Sequence, residues 1–263
     1  MFSKVLIANR GAIACRIIRT LKAMRIRSVA VYAVADAGSA HVRMADEAYC
    51  LGDGGAVETY LDQDKLFDVI ARSGAEAVHP GYGFLSENAG FVRACARRGV
   101  VFIGPSSDSI ELFGLKHRAR QLAEQFDVPV IPGSGLLTAK ADAGAAADAI
   151  GYPVMLKSTA GGGGIGMQVC QDRQQLLQCF DSVVRLGENN FSDGGVFLEK
   201  YIPRARHLEV QLFGDGCGQV VALGERDCSL QRRNQKVIEE TPAPGLSEQQ
   251  RLKLHATAQR LLQ

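Results

Sequence analysis

Apolar positions recur along this chain with two different periods, and the alternation between them outlines its elements. Lys4-Val5-Leu6-Ile7-Ala8 is an unbroken apolar run, predicted as a buried strand, and from Gly11 to Met24 the residues Ile13, Ile17, Leu21 and Met24 share one helical face. A strand at Ser28–Tyr32, one near Tyr49-Cys50-Leu51, a helix from Asp62 to Ser73 and a strand at Glu76-Ala77-Val78 follow. A helix from Ser86 to Arg98 and the strand Val100–Ile103 complete the series. Strands alternating with amphipathic helices predict a parallel, doubly wound sheet over residues 1–112. Such sheets bind ligands beyond the carboxyl ends of their strands, where the loops Asn9-Arg10-Gly11 and His79-Pro80-Gly81-Tyr82-Gly83 fall.

The pattern then changes. A helical segment, about Leu115 to Phe126, lies in a linker over 113–130. Residues 131–201 predict a small α+β lid: an alanine-rich helix, a glycine-rich hairpin, a helix from Arg173 to Leu186 and the strand Val196–Glu199. From 202 to 263 the alternation in His207–Phe213, the turn Gly214-Asp215-Gly216 and the return Gln219–Glu225 predict antiparallel strands. Ser247, with Gln250 three residues on, is a capping signal for a last helix. Leucines still recur at the end without a C-cap, and one hairpin with one helix leaves a sheet edge uncovered. The expectation is a truncated domain, with a short natural form as the alternative.

Lys157-Ser158-Thr159-Ala160-Gly161-Gly162-Gly163-Gly164-Ile165-Gly166 joins two apolar strand-like runs, Tyr152–Leu156 and Met167–Cys170. Four consecutive glycines put no side chain between backbone N–H groups and phosphate oxygens, and Lys157 adds a positive charge. The alternative, a flexible surface tip, fits poorly between two apolar strands. Gly161, Gly163 and Gly166 satisfy G-x-G-x-x-G, yet a strand and not a helix follows them, so the dinucleotide fingerprint fails. No Gly-Lys-Ser/Thr occurs either. What remains is a hairpin covering nucleotide phosphates, an arrangement of ATP-grasp enzymes and, in another fold, of kinases.

Composition removes several function classes. A net charge of +2 is too small to mark nucleic acid or an acidic membrane as the main partner. No apolar run has membrane-span length and no secretory h-region opens the chain. Seven cysteines, scattered singly without Cys-x-x-Cys, predict reduced thiols in a cytoplasmic setting and no zinc site.

Other polar groups have ordinary and functional readings. Lys157 follows Met155-Leu156, which favours a buried ammonium over a solvated strand end; Lys116 alone reads as surface. Glu199-Lys200-Tyr201-Ile202 is either an interdomain turn or a hinge holding an adenine. The run Glu225–Lys236 mixes acids, amides and bases with no aromatic, which suits a small anion such as bicarbonate better than stacked bases. His79 reads as a structural histidine, and Glu87 falls in the first turn of the predicted Ser86 helix.

Together these runs resemble the biotin carboxylase family of ATP-grasp ligases over essentially the whole chain. Ile7-Ala8-Asn9-Arg10-Gly11, His79–Asn88, Phe102-Ile103-Gly104-Pro105, the glycine loop, Glu199-Lys200-Tyr201, Glu225–Ser229, Gln231-Arg232-Arg233 and Pro242-Ala243-Pro244-Gly245 carry the resemblance. It implies phosphorylation of bicarbonate by ATP to carboxyphosphate, release of carbon dioxide, and carboxylation of N1 of a biotin tethered to a carrier domain. By position, Lys116 and Lys157 would bind ATP phosphates, and Gly161, Gly162, Gly163, Gly164 and Gly166 would cap them. Glu199 and Ile202 would frame the adenine, with His207, Gln231 and Asn234 lining the nucleotide pocket. Lys236, with Arg232, would stand catalytically beside bicarbonate, and Tyr82 and Gly83 would line the biotin side. The resemblance implies Mg2+ ligands, a bicarbonate base and further arginines beyond residue 263, so the chain alone is expected to lack turnover. A carboxyltransferase domain and a homodimer are further expectations.

Asn234 stands where many members have histidine, Ala160 where many have glycine and Ile165 where many have arginine. These departures resemble the urea carboxylase or urea amidolyase branch more than the acyl-CoA carboxylase branch. Two other readings remain: an ATP-grasp ligase joining a carboxylate to an amine, against which His79–Asn88 counts, and a non-catalytic nucleotide-binding module.

Overall fold

The structure is a computed structural model that describes residues 1–114, 116–159, 166–191, 194–232 and 235–262, without the side chains of residues 116, 117, 190 and 191. The chain divides into two compact units, Met1–Gly114 and Leu115–Gln263.

In the first unit, β1 (Lys4–Ile7), α1 (Gly11–Ala23), β2 (Arg27–Tyr32), the short α2 (Ala40–Met44) and β3 (Glu47–Cys50) precede α3 (Gln63–Ser73) and β4 (Ala77–His79). The helix α4 (Ala89–Arg97), β5 (Val101–Phe102) and α5 (Ser107–Gly114) follow. The strands form one parallel sheet in the order β3-β2-β1-β4-β5. Because side chains alternate across a strand, Val5 and Ile7 meet Ile17, Ile18 and Leu21 of α1 on one face, while Leu6 joins Leu66, Phe67 and Ile70 of α3 on the other. This is the predicted doubly wound α/β sheet. Chain order reverses between β1 and β4, so the loops after these two strands lie side by side at the switch point.

Local signals account for the helix ends and for two departures from the sequence reading. Asp62 caps α3 by accepting from the Lys65 N–H at 3.1 Å. Asn88 does the same for α4 through the Phe91 N–H at 2.8 Å, so that helix starts at Ala89 and not at Ser86. Glu87 therefore precedes the helix instead of lying in its first turn. Met24 is exposed as the C-cap of α1, outside the buried face. The helix α5 was not anticipated.

The second unit starts with α6 (Lys116–Gln125) and α7 (Lys140–Ile150). Next come β6 (Val154–Ser158), β7 (Met167–Cys170), α8 (Arg173–Phe191) and β8 (Val196–Lys200), the strands forming an antiparallel sheet in the order β7-β6-β8. Val154, Leu156, Val196 and Leu198 pack against Ala143 and Ala147 of α7 and Leu176, Phe180 and Val183 of α8. That covers one face and leaves Met155, Lys157 and Glu199 half-buried on the other.

The strands β9 (Leu208–Gly214), β10 (Val220–Arg232) and β11 (Gln235–Glu240) make a second antiparallel sheet in the order β11-β10-β9. The polar run from Glu225 is thus mostly strand, with Gln231 opposite Lys236 and Arg232 opposite Gln235. The closing helix α9 (Glu248–Arg260) has the full capping box: the Ser247 hydroxyl accepts from the Gln250 N–H at 3.3 Å, and the Gln250 side chain accepts from the Ser247 N–H at 2.9 Å. Among the described residues no helix is long and apolar enough to cross a membrane.

Candidate active site

Lys157 is the penultimate residue of β6, four positions before the first glycine of the run. Its ammonium contacts Glu199 Oε2 on β8, while Arg120 Nη1 of α6 lies 3.5 Å from Glu199 Oε1. All three side chains are partly sheltered, at 22, 16 and 12% exposure for Lys157, Glu199 and Arg120. Arg120 reaches this position because residue 133 is glycine; a Cβ there would meet its guanidinium carbon at 3.0 Å. One carboxylate is therefore held between two cations, and neither cation is hydrated as fully as on a surface. Past the glycines, Gly166 sits at φ +72° and its carbonyl accepts from the Ser158 N–H at 2.8 Å. A side chain at 166 would press on Ser158 Cβ at 3.0 Å, so the second arm of the hairpin needs glycine for both space and conformation.

Gly161–Gly164 lie outside the described residues, and Lys116 is placed only as the first residue of α6. Ile202 follows β8 with an exposed side chain, beside Lys200, whose ammonium donates to the carbonyls of Gly151 and Tyr152 at 2.8 and 2.9 Å.

A second group of sequence-selected residues gathers on the β9–β10–β11 sheet around Glu209. Its carboxylate contacts the Lys236 ammonium and accepts from Arg226 Nε at 2.6 Å. Burial pushes the Glu209 carboxyl up, and Lys236 and Arg226 more than reverse this, so it stays below its usual range. Glu209 in turn holds the Lys236 ammonium above its usual value. His207 lies two residues before Glu209, with Nε2 at 4.0 Å from Glu209 Oε2. Gln231 Nε2 is 2.8 Å from His207 Nδ1 and donates to the Cys228 carbonyl at 2.8 Å. The structure so brings His207, Gln231 and Lys236 together; Arg232 ends β10 one position on, and Asn234 lies outside the described residues.

Glu209, Cys228 and Glu239 also approach within 4.8 Å of one another. Both Glu209 oxygens already face cations, so a metal ion there would have to displace Lys236 and Arg226. Next to this group, Ser229 and Arg206 hold the Asp227 carboxyl down to about 2, with Arg206 Nη2 at 2.7 Å. Arg120 and Glu209 escaped the sequence reading, while Arg226 was included only as part of the polar run from Glu225 to Lys236. Of these two, Glu209 alone had a local signal, its alternation with His207 on one strand face.

In the first unit the two switch-point loops are joined by Asn9. This buried side chain donates through Nδ2 to the carbonyls of Pro80 and Tyr82 at 2.7 and 2.8 Å, and its Oδ1 accepts from the Arg10 N–H at 2.9 Å. His79 Nδ1 accepts from the Gly81 N–H at 3.0 Å, and burial lowers the basicity of the ring. The structural reading of this histidine fits. Tyr82 projects outward at 68% exposure.

A doubly wound sheet followed in the chain by a hairpin around a glycine run and an antiparallel sheet with Lys236, Arg226, Gln231 and Glu209 clustered on it defines an ATP-grasp protein. The chain belongs to the biotin carboxylase family: residues 1–110 match "Biotin carboxylase, N-terminal domain" and residues 116–263 match "Carbamoyl-phosphate synthase L chain, ATP binding domain". It is 55% identical to the urea amidolyase of Saccharomyces cerevisiae over 99% of its own length and 14% of that protein's. Biotin carboxylase from Campylobacter jejuni, solved as a β-γ-ATP complex, superposes with a TM-score of 0.96 at 44% identity, over 99% of this chain and 59% of that one. The biotin carboxylase domain dimer of 2-oxoglutarate carboxylase from Hydrogenobacter thermophilus, solved with MgADP, ADP and bicarbonate, gives 0.95 at 44%, over 99% of this chain and 58% of that one. The chain thus spans a minor part of the urea amidolyase and little more than half of the solved domains.

Proposed function

We propose that this chain is the ATP- and bicarbonate-binding part of a biotin-dependent carboxylase whose final acceptor is urea or a close relative such as guanidine. The carrying observation is the joint placement of His207, Gln231 and Lys236 around Glu209 on one sheet. ATP phosphorylates bicarbonate to carboxyphosphate, which releases carbon dioxide for N1 of a biotin on a carrier domain. Such a reaction needs positioning and charge neutralisation, which lysines and backbone N–H groups supply. Lys157 and Lys116 neutralise phosphate charge, Gly161–Gly166 close over the phosphates, and Glu199–Ile202 hold the adenine. Lys236, with Arg232 beside it, orients bicarbonate; Asn234 completes the nucleotide pocket, and Tyr82 and Gly83 face the biotin. The Mg2+ that accompanies ATP shields phosphate charge when bound. Its ligands, the carrier and carboxyltransferase domains, a homodimeric assembly and a cytoplasmic location all belong to this proposal.

Support for urea is the 55% identity to a urea amidolyase together with Ala160, Ile165 and Asn234. These residues mark lineage, since the acceptor binds on another domain. Full-length protein supplied with ATP, bicarbonate and each acceptor in turn is expected to release ADP faster with urea or guanidine. Stimulation by acetyl-CoA, propionyl-CoA or pyruvate, and not by urea or guanidine, would reject the assignment.

A further inference from the structure

The loop after β4 holds an improbable backbone. Gly81 and Gly83 sit at φ +68° and +64°, and Phe84, which has a side chain, at φ +41°. Glycine enters this region freely, whereas a residue with a side chain, such as Phe84, persists there only where its surroundings impose it. Two contacts do so here. At one end Asn9 ties down the Pro80 and Tyr82 carbonyls, which belong to alternate residues flanking Gly81. At the other, Phe84 stacks on Tyr60, with ring centroids 5.2 Å apart and planes 4° from parallel. Tyr60 is itself fixed, donating to Asp36 Oδ2 at 2.6 Å and accepting from the Ala33 N–H at 3.0 Å.

Asn9 is suited to the clamp by its chemistry. It is 4% exposed, and both amide hydrogens and the amide oxygen have partners. No other side chain of this size offers two donors and one acceptor. Aspartate has the same shape but would set an acceptor against two carbonyl oxygens. Space is equally exact: a Cβ on Gly81 would stand 2.8 Å from Asn9 Nδ2. Between the two fixed ends lie Tyr82 and Gly83, the residues assigned above to the biotin side. The Pro80 and Tyr82 carbonyls are turned toward Asn9.

We infer that Asn9 is a positioning residue for the biotin-facing wall: through the Pro80 and Tyr82 carbonyls it sets the conformation in which Tyr82 and Gly83 meet the cyclic urea of the acceptor. The inference rests on the biotin reading of Tyr82 and Gly83. It separates Asn9 from the nucleotide machinery, because its bonds lie wholly within the first unit.

The test is bicarbonate-dependent ATP hydrolysis by the full-length protein, with free biotin as the probe acceptor. Asn9→Asp and Gly81→Ala, which disturb one contact from its two sides, are each expected to raise the KM for free biotin by about tenfold or more. The KM for ATP and the biotin-independent hydrolysis rate should not move. Tyr82→Ala tests the underlying reading separately. If it raises the biotin KM while Asn9→Asp and Gly81→Ala do not, the role of Asn9 is overturned and the wall stands. If none of the three changes the biotin KM, the wall and the inference fall together. If only the Asn9 and Gly81 variants act, positioning stands and runs through Gly83 instead of the tyrosine ring. Parallel losses in ATP and biotin KM would make Asn9 a general structural residue and reject the inference. Should Asn9→Asp fail to fold, Gly81→Ala decides, since it leaves the buried amide in place.

Discussion

Glu199 shows how a charge can be prepared for a ligand at the level of single side chains. Its two oxygens face Lys157 and Arg120, so the carboxylate keeps one cation when the other is withdrawn. A nucleotide phosphate competing for Lys157 would therefore leave no orphaned charge behind. The same arrangement predicts a mutant that separates binding from folding. Lys157→Ala is expected to weaken ATP binding by about tenfold or more, the loss of one charge-assisted contact. The thermal midpoint should change little, because Arg120 still neutralises Glu199. Calorimetric titration of ATP into full-length wild type and variant checks this, and equal affinities would contradict the phosphate role. Lys157 could be picked out in the sequence because its signal is local, a lysine between an apolar strand and glycines. Arg120 could not. It lies 79 residues from Glu199, and only the bare backbone of Gly133 makes room for it.

Elements show the same division between local and distant causes. The cap of α9 was readable because a cap is a bond between residues three apart. The helix α4 starts after Asn88 and not at Ser86 because the Asn88 side chain bonds the N–H of Phe91. The β10–β11 pairing was missed since the Glu225–Lys236 run has few apolar residues to alternate. Its register is accompanied by cross-strand ion pairs converging on Glu209 from Arg226 and Lys236. The helix α9 is tied to this sheet by a different charge. Glu225 on β10 is 1% exposed and meets Arg251 and His255 Nε2, the latter at 2.7 Å, and also accepts from the Ala243 N–H at 3.1 Å. Removing one partner of a buried ion costs far more than removing one from a solvated pair. Arg251→Ala is therefore expected to destabilise the protein by about 2–4 kcal/mol. Arg93→Ala, which breaks the exposed pair with Glu111, should cost about 1 kcal/mol or less. Equilibrium urea denaturation of both variants decides; equal midpoints would mean that Glu225 does not anchor α9.

At the scale of the whole molecule, each unit has its own hydrophobic core, and the free cysteines sample both. Their scatter in the sequence predicted unpaired thiols, and all the cysteines are free, but the sequence did not say which are reachable. Burial does. Cys15 and Cys95 of the first unit are buried and Cys50 is exposed; Cys170 and Cys228 of the second are buried and Cys217 is exposed. Burial also makes the hidden thiols poorer nucleophiles, pushing Cys95 up to about 11 and Cys170 up to about 12. The thiolate is the reactive form, so at pH 8 Cys95 would present only about one thiolate per thousand molecules even if reached. Iodoacetamide under native conditions is thus expected to modify Cys50 and Cys217 first, with Cys95, Cys170 and Cys228 reacting only after denaturant is added. Peptide mass spectrometry over a time course reads both units in one experiment. Early labelling of Cys95 would show that the packing of α4 against the parallel sheet is wrong. Early labelling of Cys170 would show the same for the second unit, where this thiol lies opposite Val154 in the sheet and packs in the core with Leu176 and Phe180.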